Sequence, residues 1–198
     1  MEITKDNKSL PLLCVYSFDV LRNALKDNVT PKFPEEFKNC EYPLFVTFKK
    51  NKYDELRGCI GTFEKGNLEK VLNEFTLNAA FGDPRFSPIK LEEVPSLNVG
   101  ISLLVNFQDR KDIYDWEVGK NGIEIEFKDD NERYHRGTFL PEVATEQGWD
   151  KETTLRYLVQ KARYFGELKD IENKIKLKSY ESIKIHMTYD EYLKYKEK

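Results

Sequence analysis

Residues 56–62 read Leu-Arg-Gly-Cys-Ile-Gly-Thr, an arginine and a cysteine two apart among apolar residues and glycines. On a strand, side chains alternate between faces, so Arg57 and Cys59 are expected on one face and Leu56 and Ile60 on the other. A guanidinium close to a thiol favours the thiolate, the form that acts as nucleophile or ligand. Gly58 and Gly61 leave the backbone bare, which suits a bulge, a bend or the close approach of a ligand. Packing is the competing explanation. A free cysteine is among the most buried residue types and usually behaves as a small inert hydrophobe.

A second segment with chemistry is Gly82-Asp83-Pro84-Arg85-Phe86-Ser87-Pro88. Pro84 and Pro88 stiffen this loop, so Asp83 and Arg85 are presented on a fixed backbone. A rigid loop with one acid and one base suits a ligand clamp, and it equally suits an ordinary surface ion pair. Taken as a site, the two segments divide the work. Arg57 would orient an anionic or carbonyl group through its fixed fork of donors. Cys59 would be the nucleophile or a thiol contact, Gly58 and Gly61 would admit the ligand, and Asp83 would fix Arg57 or accept a proton. Arg85 and Phe86 would complete the ligand-binding set. Taken as structure, Arg57 would be the ion-pair partner of Asp83, and the glycine-rich run would lock a hairpin in a non-catalytic interaction module.

Other constellations are weak. Cys14, Cys40 and Cys59 are an odd number without CxxC spacing, so neither a disulfide framework nor a zinc knuckle is indicated. His135 and His186 have no second ligand at metal spacing, and a Cys59–His135 nucleophile pair depends on the fold bringing them together. The chain carries no phosphate-binding glycine loop and no dinucleotide fingerprint. Asp129 and Asp130 read as turn residues, and Glu142 and Glu146 as one solvated helix face. No metal or cofactor is expected.

The elements that must position these residues follow from periodicity. With 198 residues, 39% hydrophobic and 34% charged, the chain suits one domain, or two small lobes sharing a core, with a highly solvated surface. A helix over 10–26 buries Cys14, Phe18, Leu21 and Leu25. Leu44 to Thr62 is a hairpin with its polar turn over 51–54. Asn67 caps a helix over 68–81 that Gly82 ends. A central strand over 97–106 precedes a connector with Tyr114 and Trp116, then a second hairpin over 122–139. A short helix runs from Leu140 to Gly148, and Asp150 caps the next one, which buries Leu155, Leu158, Val159 and Ala162. Residues 166–174 read as a loop. Late strands hold Ile175 and Leu177, then Ile183, Ile185 and Met187, and Thr188 with Glu191 caps a last helix. Hairpins alternating with single helices predict an α+β fold, a largely antiparallel sheet with flanking helices. One domain is expected over residues 8–195, with short tails at 1–7 and 196–198.

The net charge of −3 is not the footprint of a dedicated nucleic-acid binder. An RNA-associated protein, which would need a basic cleft, is the third reading after enzyme or ligand binder and interaction module. No apolar run reaches membrane-spanning length, and the N-terminus lacks the apolar core of a secretory signal. A monomer in the cytoplasm or nucleus is expected, acting on a small molecule or on a protein partner.

The residues also carry a resemblance. Leu56-Arg57-Gly58-Cys59-Ile60-Gly61 resembles the hallmark hexapeptide of the AMMECR1 domain family. Asp83-Pro84-Arg85-Phe86 with Pro88 is similar to its second conserved segment. Phe139-Leu140-Pro141-Glu142-Val143-Ala144, followed by Glu146-Gln147-Gly148-Trp149-Asp150, is similar to its third. The likeness runs from about Leu10 to Tyr195, and Tyr16-Ser17-Phe18-Asp19-Val20-Leu21 is most similar to eukaryotic members. It implies an α+β fold of two unequal lobes forming one compact unit, with a cleft near the hexapeptide. It supplies no established activity, although the neighbourhood of prokaryotic members implies a modification system. Two positions depart from the family pattern. Arg163 follows Lys161-Ala162 where glycine is common, and Ser87 stands where proline is common.

Overall fold

The computed structural model describes residues 3–50 and 54–197. The turn expected over 51–54 lies, apart from Asp54, outside the described residues, as do Met1, Glu2 and Lys198 of the expected tails. Six strands, β1 (Leu44–Lys50), β2 (Glu55–Thr62), β3 (Leu97–Arg110), β4 (Gly122–Lys128), β5 (Tyr134–Phe139) and β6 (Lys176–Thr188), are hydrogen-bonded in the order β2-β1-β3-β6-β4-β5. The pairings β1–β2, β1–β3, β4–β5 and β4–β6 are antiparallel. With six α-helices beside these strands among the described residues, the α+β expectation holds. The chain divides into two compact units, residues 1–104 with 183–198 and residues 105–182.

In the first unit, α1 (Pro11–Ala24) starts with proline in its first turn, where a missing N–H costs nothing. It buries Leu13, Cys14, Phe18 and Leu21 completely. Burial raises the Cys14 thiol pKa far above its ordinary value, so this cysteine is a packing residue, as its position on the stripe implied. The last helix, α6 (Tyr189–Lys196), carries the expected capping box, Thr188 Oγ1 accepting from Glu191 N and Glu191 Oε2 accepting from Thr188 N. It is held to α1 by buried Tyr192, whose hydroxyl donates to Asp19 at 2.7 Å, and by Lys196 on the other Asp19 oxygen at 3.1 Å. The N-terminal segment is tied down too. Ile3 is buried, and its N–H donates to the Tyr42 hydroxyl.

Asn67 caps α2 (Leu68–Leu77) through its side chain, which accepts from Lys70 N. The helix does not end on a left-handed glycine. It widens into a π-helical turn over Asn78–Gly82, and the chain leaves through extended Asp83. The helical run stops at Gly82 as expected, but on a backbone outside the left-handed region. Such widenings are rare and often occur at functional sites. Here the turn presses the Ala79 backbone toward β2.

The second unit packs Trp116, Ile123, Ile125 and Phe127 against Leu155, Leu158 and Val159. Gly148 ends α3 (Pro141–Gln147) in the left-handed conformation, φ 68°, that glycine adopts without cost. Asp150 caps α4 (Lys151–Lys161) by accepting from Thr153 N at 2.8 Å. Two expectations need correction. Residues 166–174 are not a plain loop: α5 (Leu168–Ile171) and a 3-10 turn over Glu172–Lys174 form there because Leu168 and Ile171 reach the core. The late strands are one continuous strand, β6. Arg163 takes φ 63°, a left-handed backbone that glycine adopts more readily than a residue with a side chain. His135 stacks on Phe127, its ring nitrogens 2.9 Å from Ala162 O and 3.3 Å from Asp129 Oδ2, so it forms no pair with Cys59. Asp129 also accepts from the N–H groups of Asn131 and Arg133, the turn role expected of it.

Candidate functional site

β2 pairs with β1 through an irregular register. Phe48 opposes Gly58 and Lys49 opposes Leu56, so Arg57 is an extra residue, a bulge. The bulge overturns the simple alternation. Cys59 opposes Thr47, and Leu56 opposes Lys49, so Leu56 and Cys59 share one face. Gly58 and Ile60 lie on the other, opposite buried Phe48 and Val46. Arg57 and Cys59 therefore do not form the same-face pair that regular spacing predicted.

Arg57 is buried, and its donors are spent inside the chain. Nε and Nη2 form a bidentate pair with Glu93 at 2.9 and 3.1 Å, while Nη1 donates to Ser87 O at 2.7 Å and Nη2 to Pro88 O at 3.3 Å. Glu93 sits in a 3-10 helix over Leu91–Ser96 and also accepts from Lys90 N. The expected Arg57–Asp83 pair is not formed, because Asp83 has other partners. Buried Asp83 accepts from Cys59 N at 2.9 Å, from Arg85 N at 3.1 Å, and from Arg85 Nε and Nη2 at 3.0 and 2.7 Å. Arg85 Nη2 also donates to Cys59 O at 3.2 Å. One acid and one base thus satisfy both outward-facing backbone groups of Cys59, as a neighbouring strand would, and blunt the exposed edge of β2.

The Arg85 guanidinium holds the Asp83 carboxyl far below the usual carboxylate range, against a smaller opposing effect of burial. A group depressed in the folded state contributes stability above its unfolded pKa and loses it as pH falls through the folded value. Asp83→Asn is therefore expected to melt below the native chain at neutral pH. The gap should narrow below about pH 4, the ordinary Asp value. Melting curves of both proteins between neutral and strongly acidic pH read this directly, and a gap independent of pH would contradict it.

The two glycines are filled by the protein itself. A Cβ on Gly58 would stand 2.0 Å from Ala79 O, and one on Gly61 would stand 2.4 Å from Leu44 O and the Phe45 ring. Three groups remain presented outward. The Cys59 thiol is half-buried and accepts from Thr47 Oγ1 at 3.1 Å. The Arg85 side chain is 54% exposed. Phe86 lies half-buried beside it, its ring centroid 5.3 Å from the guanidinium carbon. Of the residues expected to form a site, Cys59, Asp83, Arg85 and Phe86 are brought together, whereas Arg57 faces Glu93. Sequence reasoning missed Glu93 and Thr47. Glu93 follows Glu92 and looks like solvated surface, and Thr47 is an ordinary strand residue; only the register and the 3-10 turn select them. Among the described residues, no group of three His, Cys, Asp or Glu side chains is arranged to hold a metal ion. No helix among them is long and apolar enough to cross a membrane.

An α+β chain whose edge strand carries a bulged Arg-Gly-Cys run, clamped by an acid–base loop, is the class this fold and site define. The chain belongs to the AMMECR1 family, whose model matches residues 14–185. It is 40% identical over 188 residues to an uncharacterized protein of Arabidopsis thaliana, covering 92% of this chain and 87% of the relative. It is 43% identical over 183 residues to an uncharacterized protein of Schizosaccharomyces pombe, covering 91% and 93%. The fold matches the crystal structure of an uncharacterized protein from Pyrococcus horikoshii with a TM-score of 0.68 and 25% identity, covering 88% of this chain and 89% of that one.

Proposed function

We propose that this chain is an enzyme or small-ligand-binding protein whose site is the Cys59 thiol beside Arg85, with an anionic electrophile as the class of molecule bound. The observation that carries this reading is the division of labour around β2. Arg57, Gly58 and Asp83 are consumed in holding the backbone, while the thiol and an exposed guanidinium anchored to the same residue's carbonyl are left facing outward. Arg85 takes the orienting role that spacing suggested for Arg57: its Nε and Nη2 are held by Asp83 and Cys59 O, which leaves the two N–H groups of Nη1 to meet a carboxylate or phosphate. Phe86 supplies an apolar wall. Arg57 acts as a positioning residue through Glu93 and the 87–88 backbone.

A matched pair of alkylating reagents tests this. Iodoacetate carries the anion that Arg85 would attract, and iodoacetamide does not. Cys59 is expected to react while buried Cys14 and Cys40 stay silent in the folded protein, with Arg85→Ala lowering the iodoacetate-to-iodoacetamide rate ratio several-fold. Mass spectrometry of each cysteine gives the rates. An unchanged ratio in folded Arg85→Ala removes Arg85 from the site, and a silent Cys59 removes the thiol. A second reading, a non-catalytic interaction module, draws support from the internal use of Arg57 and both glycines. It requires Cys59→Ser to leave every function of the protein intact.

A further inference from the structure

Far along the chain from Cys59, within residues 105–182, lies a cavity of about 260 Å³ whose lining is polar apart from Trp116. β3 changes character at its edge. Leu103, Leu104 and Val105 are buried in succession, and Asn106 takes a left-handed φ of 55°, a conformation that non-glycine residues adopt at a cost and that gathers at ligand sites. Most of the lining charge is already paired. Arg110 donates to Asp115 at 3.1 Å and to Ser179 Oγ at 2.8 Å, and Lys120 pairs with Glu117 at 3.2 Å.

Two charges on the wall are left over. Lys151 Nζ donates to Tyr114 O at 2.8 Å, which occupies one of its three N–H groups, and among the described residues it has no carboxylate within ion-pair distance. Half-buried Glu181 has neither an ion pair nor a side-chain hydrogen bond among the described residues. The two line one cavity without pairing with each other. One positive and one negative charge therefore stand at separate places on a polar wall. A ligand of a single charge would satisfy only one of them, and an uncharged ligand neither.

We propose that this cavity binds a free α-amino acid, its carboxylate at Lys151 and its ammonium at Glu181. The site is independent of the Cys59 reading. Isothermal titration of the whole protein with free amino acids tests it, each compared with its des-amino acid and its decarboxylated amine. At least one amino acid is expected to bind, and each truncated analogue to bind about tenfold more weakly or worse, the worth of one charge-assisted hydrogen bond. Glu181→Gln should cost a similar factor for the amino acid and none for the des-amino acid. Absence of binding by every amino acid at millimolar concentration overturns the proposal. Equal binding of the truncated analogues, or an unchanged affinity in Glu181→Gln, does so too. Should Glu181→Gln fail to fold by circular dichroism, the analogue series on the unaltered chain still decides.

Discussion

Arg57→Ala is expected to lower the unfolding free energy by about 3 kcal/mol, the cost of breaking a largely buried ion pair at one end. For a chain of this size that is a fall in melting temperature of roughly 6–12 °C. The side chain is 8% exposed and its partner Glu93 23%, so the loss belongs at the lower end of the range for buried pairs. Two carbonyl oxygens, Ser87 O and Pro88 O, lose their donors in the same change. Arg57→Lys should recover only part of the loss, because an ammonium meets one carboxylate oxygen as a point charge and cannot reach both carbonyls as a fork does. The pH dependence has a definite sign. The Arg57 guanidinium beside Glu93 holds that carboxyl below its ordinary value. Its contribution is complete above the unfolded value of about 4.3 and is lost as pH falls through the folded one. Urea unfolding at neutral pH and again near pH 3 should therefore show a large gap between native and Arg57→Ala chains that shrinks in acid. An Arg57→Ala protein as stable as the native chain would return Arg57 to the ligand-binding set.

Much of this arrangement was legible in sequence where a local rule governs. The caps at Asn67, Asp150 and Thr188 depend on a side chain reaching an N–H three residues on, and all three form. Both hairpins follow from alternation, and the buried faces of α1 and α4 follow from helical spacing. Failures occur where a non-local contact overrides the local rule. One inserted residue at Arg57 turns the alternation of β2 around, and nothing within the heptapeptide fixes where a bulge falls. Two opposite charges in neighbouring segments imply an Asp83–Arg57 pair. The choice of Glu93 instead depends on a 3-10 turn whose residues look like solvated surface. Charged neighbours obscure Leu168 and Ile171 in the sequence, two apolar residues only three apart. The strain at Asn106 has no sequence signal beyond the tolerance of asparagine for the left-handed region.

Consequences for the candidate site follow from how it is held. Both backbone groups of Cys59 are bonded to side chains of a loop stiffened by Pro84 and Pro88, while the strand that carries it is paired with β1. The thiol is therefore placed by groups that do not take part in any chemistry at sulfur. Such a site tolerates change in Phe86 more readily than in Asp83, since the half-buried Phe86 ring meets the Arg85 guanidinium only across 5.3 Å, whereas Asp83 carries four hydrogen bonds. The same logic separates fold from function in mutants. Loss of Asp83 or Arg57 moves both stability and thiol reactivity, while loss of Arg85 charge beyond its link to Asp83 acts on the preference for anionic reagents.

Gly58→Ala is the most disruptive small change expected anywhere in this unit. The added methyl would lie 2.0 Å from Ala79 O and 3.1 Å from Ala79 C, and both are backbone atoms that cannot rotate away. Either β2 or the π-helical turn must move, so the cost is about 3 kcal/mol or more, at or beyond the upper end for overpacking. The turn leads directly into Asp83, so its displacement should also loosen the carboxylate from Cys59 N and speed alkylation of Cys59. Gly82→Ala provides the contrast within the same segment. Its new methyl would meet only Asn78 Oδ1 at 3.7 Å and Asn78 Cβ at 3.9 Å, ordinary contacts, and its φ is not in the left-handed region. That variant should melt with the native chain or above it, by up to about 1 kcal/mol, through the reduced freedom of its unfolded state. Melting and alkylation measured on the two variants side by side distinguish a glycine kept for the approach of the chain's own backbone from one kept for a ligand. If Gly58→Ala kept native stability and lost only ligand binding, the bare backbone at Gly58 would be serving the ligand after all.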